Sequence, residues 1–182
     1  MQNGGWCIWI TGLPGSGKST IAQKLLKKLE SSGVHAQIVS SDMLRRVMTP
    51  KPTYTEEERN RVYATLVLIA KLLTRNDVNV VIDATGNRRR YRDHARKEIP
   101  KFMEAYIRCP LEVCIKRETK RKIYAYAPKG VYKKAFTGKS ATVPGIGVPY
   151  EEPKDPEVIV DSDKLDAEQC AQKILETLMK TF

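Results

Sequence analysis

The sequence predicts an α/β fold in which a parallel sheet of about five strands is covered by helices on both faces. Three observations carry this. Short apolar runs recur along the chain and are followed by segments of helical period, the alternation that demands crossovers between parallel strands. A glycine-rich turn, GLPGSGKST, joins the first such run to the first helical pattern. The chain has 182 residues, 41% of them apolar and 29% charged, enough to bury one core, and residues 1–182 are read as a single domain.

Taken in order, WCIWI (6–10) is a short buried strand, rich in aromatic and β-branched residues. After the turn, Ile21, Ala22, Leu25, Leu26 and Leu29 recur at helical spacing until Gly33. QIVS (37–40) is a second strand, and SDMLRRVM a short helix stopped by Pro50. Thr55 caps the next helix, with Glu56, Glu57 and Glu58 in its first turn, where the dipole favours negative charge. NVVIDA (79–84) is a third strand, followed by a helical Arg-rich segment, 88–98. FMEAYIRC (102–109) and EVIVDS (157–162) complete the sheet, with a helix from Leu111 between them. The last helix carries Ala167, Cys170, Ala171, Ile174, Leu175 and Leu178 on one face. Residues 119–156, with Pro128, Pro144, Pro149, Pro153 and Pro156, break the alternation and read as a lid.

Composition narrows the partners. Thirty-two Lys and Arg against 21 Asp and Glu give a formal charge of +11, which favours polyanionic ligands without choosing among nucleotides, nucleic acid and anionic surfaces. No apolar run approaches membrane-spanning length and residues 1–5 lack a signal-peptide pattern, so the expected location is cytoplasmic, with no membrane partner. Cys7, Cys109, Cys114 and Cys170 show no metal-ligand spacing and read as core filling. The oligomeric state is not fixed by the sequence; a homodimer is compatible with it.

Gly12, Gly15, Gly17, Lys18 and Ser19 fit G-x-x-x-x-G-K-S/T between a strand and a helix. The glycines let backbone N–H groups turn inward around a β-phosphate, and the helix N-terminus adds its dipole. Gly12, Leu13, Pro14, Gly15, Ser16, Gly17, Lys18, Ser19 and Thr20 are therefore the predicted nucleotide-binding residues. Lys18 reaches the β- and γ-phosphates, and the Ser19 hydroxyl suits Mg²⁺. The implied ligands are ATP and Mg²⁺.

Ligands of such sheets bind beyond the carboxyl ends of the strands. There, Asp42 and Arg45 project from one side of the short helix after the second strand. Asp42 is read as catalytic, taking an acceptor proton or organising the metal, with a simple N-cap role as the plainer reading. Arg45 would hold an anionic acceptor. Asp83, ending the third strand, stands where an acid of the metal shell is often found. Of Arg88, Arg89, Arg90, Arg92 and Arg96, most are expected on a solvated face.

Three later segments, PLEVCIKR (110–117), PKGVYKKA (128–135) and PGIGVPYEEPKDPEV (144–158), together with GLPGSGKSTIA and the D-x-x-R pair, resemble adenylyl-sulfate kinase over about residues 6–163. That resemblance implies a P-loop kinase fold and transfer of the ATP γ-phosphate to the 3′-hydroxyl of adenosine 5′-phosphosulfate, in sulfate assimilation. It implies that Lys18 and Ser19 bind MgATP, that Asp42 is the catalytic or metal-organising acid, and that Arg45, Tyr54 and Arg59 face the acceptor. Tyr54 replaces a phenylalanine that stacks on adenine, Arg59 matches the arginine of the family's D-R pair, and Lys129 belongs to the lid. Departures concentrate on the acceptor side. Ser40-Ser41-Asp42 replaces D-G-D, Val62 stands where asparagine is common, Ala84-Thr85-Gly86-Asn87 replaces F-I-S-P with Asp83 gained, and Val143 replaces a second stacking phenylalanine. One face of an aromatic sandwich is worth about 1–3 kcal/mol. The lid carries extra residues, among them Lys120, Arg121, Lys122, Tyr124 and Tyr126.

Two other readings follow from the departures. D-x-x-R with IDATGNRRR also resembles kinases of polynucleotide 5′-ends or other nucleic-acid hydroxyls, KRKIYAY suits such an acceptor, and a small-metabolite hydroxyl stays open beside it. A nucleotide-binding module without turnover would bind ATP tightly and release no ADP; the acceptor-side residues argue against it.

Overall fold

The computed structural model describes residues 4–49, 51–121 and 128–182. Five parallel strands, β1 (Cys7–Thr11), β2 (Ala36–Ser40), β3 (Asn79–Asp83), β4 (Phe102–Arg108) and β5 (Val158–Asp161), lie in the order β2-β3-β1-β4-β5. The helices are α1 (Lys18–Ser31), α2 (Ser41–Met48), α3 (Glu56–Arg75), α4 (Arg89–Glu98), α5 (Leu111–Lys120), α6 (Val131–Phe136) and α7 (Ala167–Thr181).

All five residues of β1 are buried, and its side chains alternate between two cores. Ile8 and Ile10 pack with Leu25 and Leu29 of α1 and with Cys170, Ile174 and Leu178 of α7. Cys7 and Trp9 face the other side, among Tyr63, Leu66 and Val67 of α3 and Tyr91 and Ala95 of α4. This two-sided burial is why the strands read as continuous apolar runs. A third, smaller cluster joins Cys109, Cys114, Tyr132 and Val143 to Leu13 of the glycine-rich turn.

Register brings the functional ends together. Ile10 pairs with Asp83, and Asp83 with Ser40, so the turn after β1, the acid ending β3 and the start of α2 after β2 share one edge. Thr55 caps α3 as expected, its hydroxyl accepting from the Glu58 N–H at 3.3 Å.

Three local expectations change. Residues 119–156 are not irregular throughout: α5 runs to Lys120, and α6 lies inside the segment. With one buried side chain, Tyr132, in six residues, α6 offers no periodicity to detect. Asp42 is not the N-cap of α2; Ser40 is, its hydroxyl accepting from the Asp42 N–H at 3.3 Å. The Arg-rich segment is solvated only in part: Arg90 is exposed, while others are anchored by acids. Arg92 is fully buried and pairs with Glu104 at 2.6 Å, Arg88 pairs with Glu151 at 2.9 Å, and Arg96 with Glu157. Their partners lie far along the chain, which no local pattern reveals. Lys122, Tyr124, Tyr126 and Pro50 lie outside the described residues.

Candidate active site

The turn between β1 and α1 forms one wall of a cavity of about 680 Å³. Its shape depends on glycine. At Gly15 the backbone has φ 81°, and a Cβ there would lie 2.5 Å from the Cys114 carbonyl oxygen of α5, so no side chain fits. Gly17, also left-handed, precedes the first residue of α1. Lys18 is buried, and its ammonium donates to the Leu13 carbonyl at 2.8 Å, folded across the turn it must serve.

Asp42 and Asp83 line the same cavity as Lys18 and Ser19. Burial pulls the Lys18 ammonium below the usual lysine range, against the opposing charges of Asp83 and Asp42. Burial pushes both carboxyls up; Asp83 adds repulsion at Asp42, while Lys18 and a hydrogen bond from Ser19 oppose the shift at Asp83. The carboxylates of Asp42 and Asp83 and the Ser19 hydroxyl are hard oxygen donors lining one cavity, with the Lys18 ammonium beside them. That chemistry fits Mg²⁺, which binds through one or two carboxylates plus phosphate oxygens. Among the described residues, no group of three or more His, Cys, Asp or Glu side chains gathers into a closed metal cage.

Arg45, Tyr54 and Arg59 line the same cavity. The Arg45 guanidinium lies over the Tyr54 ring, 4.7 Å from its centroid, and pairs with buried Glu58. The second Glu58 oxygen accepts from the N–H groups of Thr53 at 2.6 Å and Tyr54 at 3.1 Å and from the Thr53 hydroxyl at 2.8 Å. These bonds hold Tyr54 at φ 56°, a left-handed conformation uncommon for an aromatic residue. Arg59 is held by neutral acceptors: the Tyr54 carbonyl at 3.0 Å, the Asn87 side-chain oxygen at 2.9 Å and the Thr142 carbonyl.

The segment after α5 closes the remaining wall. Arg121, Lys129, Lys134 and Val143 line the cavity, and the Tyr132 hydroxyl donates to the Pro14 carbonyl at 2.7 Å. Behind the turn, Ser162 after β5 donates to the Ser16 carbonyl at 2.8 Å, and Arg117 donates to the Ser162 carbonyl at 2.6 Å.

Lys18, Ser19, Asp42, Asp83, Arg45, Tyr54, Arg59 and Lys129 thus meet at one cavity, as do Pro14, Gly15, Gly17 and Thr20 of the turn. Gly12, Leu13 and Ser16 are absent from its lining, and Leu13 packs instead into the third apolar cluster. Sequence reasoning misses Glu58, which it groups with the first-turn acids of α3; its position beside Arg59 in a D-R-like pair is the available signal. It also misses Asn87, Tyr132 and Ser162, whose partners, Arg59 and the carbonyls of Pro149, Pro14 and Ser16 among them, are remote in sequence.

A glycine-rich turn of the phosphate-binding pattern at the switch point of a parallel sheet, with carboxylates at the ends of the neighbouring strands and cations in the same cavity, defines a P-loop phosphotransferase. The family model for adenylylsulphate kinase matches residues 4–161. A protein of Archaeoglobus fulgidus named "Probable adenylyl-sulfate kinase" is 43% identical over 159 residues, covering 87% of this chain and 97% of the relative. The adenylyl-sulfate kinase of Halothermothrix orenii is 34% identical over 174 residues, covering 96% and 89%. The Mycobacterium tuberculosis APS kinase CysC, solved in complex with AMPPNP and APS, superposes with a TM-score of 0.85 at 29% identity, covering 97% and 98%. The chain belongs to the adenylyl-sulfate kinase family, whose members are ATP-dependent kinases.

Proposed function

We propose that the cavity carries out the family's reaction in this chain, in-line transfer of the ATP γ-phosphoryl group to the 3′-hydroxyl of adenosine 5′-phosphosulfate. What supports this is that Lys18, Ser19, Asp42 and Asp83, which we read as the donor set, line one cavity together with Arg45, Tyr54 and Arg59, which we read as the acceptor set. Backbone N–H groups of the turn that lie at the cavity, those of Gly15, Gly17, Lys18 and Ser19, hold the β-phosphate, and Lys18 leaves the Leu13 carbonyl to neutralise the γ-phosphate. Mg²⁺, when bound, neutralises charge on the β- and γ-oxygens. Ser19 and Asp83 would hold it, and Asp42 orients the acceptor hydroxyl or the metal shell.

On the acceptor side, Tyr54 offers a ring face for the adenine, and Arg45 and Arg59 supply positive charge for the phosphosulfate. Residues 119–156, with Lys129 and Arg121 at the cavity, act as the lid of a single-domain kinase. Catalysis here is positioning and electrostatics. No helix among the described residues is long and apolar enough to cross a membrane; a reaction that consumes ATP suits the cytoplasm.

The test is ADP release from MgATP with adenosine 5′-phosphosulfate as acceptor, with identification of the 3′-phosphorylated product, beside a 5′-hydroxyl oligonucleotide. Product from the sulfate nucleotide alone supports the assignment. Turnover confined to the oligonucleotide would overturn it and return the nucleic-acid reading.

A further inference from the structure

Arg59 differs from its neighbour Arg45 in one respect. Arg45 is neutralised by the carboxylate of Glu58, whereas all three hydrogen-bond acceptors of Arg59 are uncharged. The Arg59 side chain is buried, each of its three nitrogens donates one hydrogen bond to these partners, and its charge is not cancelled by them. Of the three, only Asn87 uses a side chain.

Asn87 is itself 2% exposed and is not part of the cavity lining, while Arg59 is. Its amide is used from both ends. The oxygen accepts from Arg59 at 2.9 Å, and the nitrogen donates to the Pro149 carbonyl at 3.1 Å. Its backbone carbonyl accepts from the Glu151 N–H at 2.8 Å. The same returning segment is fixed by Arg92, which donates to the carbonyls of Gly86 and Glu151. One amide therefore ties the floor of the acceptor side to the segment that leaves the lid.

We propose that Asn87 is a positioning residue for acceptor recognition: it aims the Arg59 guanidinium at an anionic group of the acceptor and, being neutral, leaves that charge available. This rests on the reading that Arg59 faces the acceptor. An aspartate at the same place would accept the same hydrogen bond but form a salt bridge, cancelling the charge that recognises the anion. An alanine would free one arm of the fork. A hydrogen bond to a charged group contributes about 1.5–3 kcal/mol, which corresponds to roughly a ten- to hundredfold change.

The experiment compares wild type, Asn87→Ala and the near-isosteric Asn87→Asp by steady-state kinetics with each substrate varied, with thermal midpoints measured alongside. The Arg59 side-chain resonances are recorded by ¹⁵N NMR without acceptor. Asn87→Ala is expected to raise the acceptor KM about tenfold or more and to leave the ATP KM within about twofold. Asn87→Asp is expected to raise the acceptor KM at least as far. The Arg59 guanidinium signals, held distinct by three fixed partners in wild type, should average in Asn87→Ala. If the thermal midpoints fall while the acceptor KM and the Arg59 signals stay put, Asn87 is merely structural and the proposal is wrong. If wild type does not turn over adenosine 5′-phosphosulfate, it is the acceptor assignment that fails, and the NMR comparison alone decides whether Asn87 fixes Arg59.

Discussion

Glu58 holds Arg45 with one carboxylate oxygen and the N–H of Tyr54, at 3.1 Å, with the other. A single interior acid thus sets both a cation and a ring of the acceptor side. Burial would raise the Glu58 pKa, but hydrogen bonds from Thr53 and the charge of Arg45 win and hold it below its ordinary 4.5. A carboxyl depressed in the fold contributes stability above its unfolded value and loses it as pH falls through the folded value. Wild type should therefore lose more stability than Glu58→Gln on acidification below about pH 4.5. At neutral pH, Glu58→Ala leaves Arg45 buried without its partner and should cost about 3–5 kcal/mol. Chemical denaturation at pH 7 and pH 4 checks both, and equal acid sensitivity of wild type and Glu58→Gln would refute the linkage.

Lys18→Ala should remove transfer while leaving the fold intact. Among the described residues the ammonium donates to the Leu13 carbonyl of its own turn, one hydrogen bond whose loss is on the order of 1 kcal/mol. The kinetic loss is expected to be at least about 10²–10³ in kcat, the scale of one removed transition-state donor. Single-turnover ADP formation beside a thermal melt separates the two quantities. Retained turnover would mean that another cation, with Arg121 at the cavity the first to examine, takes the charge of the γ-phosphate.

Asp83→Asn tests the acid that ends β3. Burial raises the Asp83 carboxyl above its ordinary value, so its ionised form costs stability as pH rises from the unfolded value through the folded one. The amide should therefore be at least as stable as wild type at pH 7. Its Mg²⁺ half-saturation for nucleotide binding should rise roughly ten- to hundredfold, the usual effect of losing an orienting group at a metal site. Full activity at unchanged Mg²⁺ demand would remove Asp83 from the metal shell.

What the residues alone disclosed, and what they did not, follows from the range of the interactions. β1, the glycine-rich turn and α1 announce themselves because their pattern is local: five buried residues, a turn that Gly15 permits, then a helical period. Asp42, Asp83, Arg45 and Arg59 are legible because strand ends in a parallel sheet must share an edge, and the register of Asp83 with Ile10 and Ser40 is that rule realised. Glu58, Asn87 and Arg92 are different. Their work is done on Arg45, on the Pro149 carbonyl and on Glu104, partners 12 or more positions away, and a helix of charged residues looks the same whether its arginines meet water or a buried acid.

Tyr132 supplies the last prediction, because it joins the lid to the phosphate turn. Its ring is 1% exposed within the third apolar cluster, and its hydroxyl donates to the Pro14 carbonyl at 2.7 Å. The helix that carries it is held at its start by Glu118, which accepts from the Val131 N–H at 3.1 Å. Tyr132→Phe keeps the ring and removes one hydrogen bond, leaving the Pro14 carbonyl short of a partner, at a cost of about 0.5–1.5 kcal/mol. For a chain of this size that is a fall of roughly 2–4 °C in the thermal midpoint per kcal/mol. Because the bond ends on the turn that cradles the nucleotide, the ATP KM should rise about three- to tenfold while the acceptor KM at saturating ATP stays within about twofold. Tyr132→Ala would also empty the ring's place in the cluster and should cost about 3–5 kcal/mol. Steady-state kinetics of Tyr132→Phe with each substrate varied in turn checks the assignment; a change confined to the acceptor KM would mean that α6 closes over the acceptor rather than over the nucleotide.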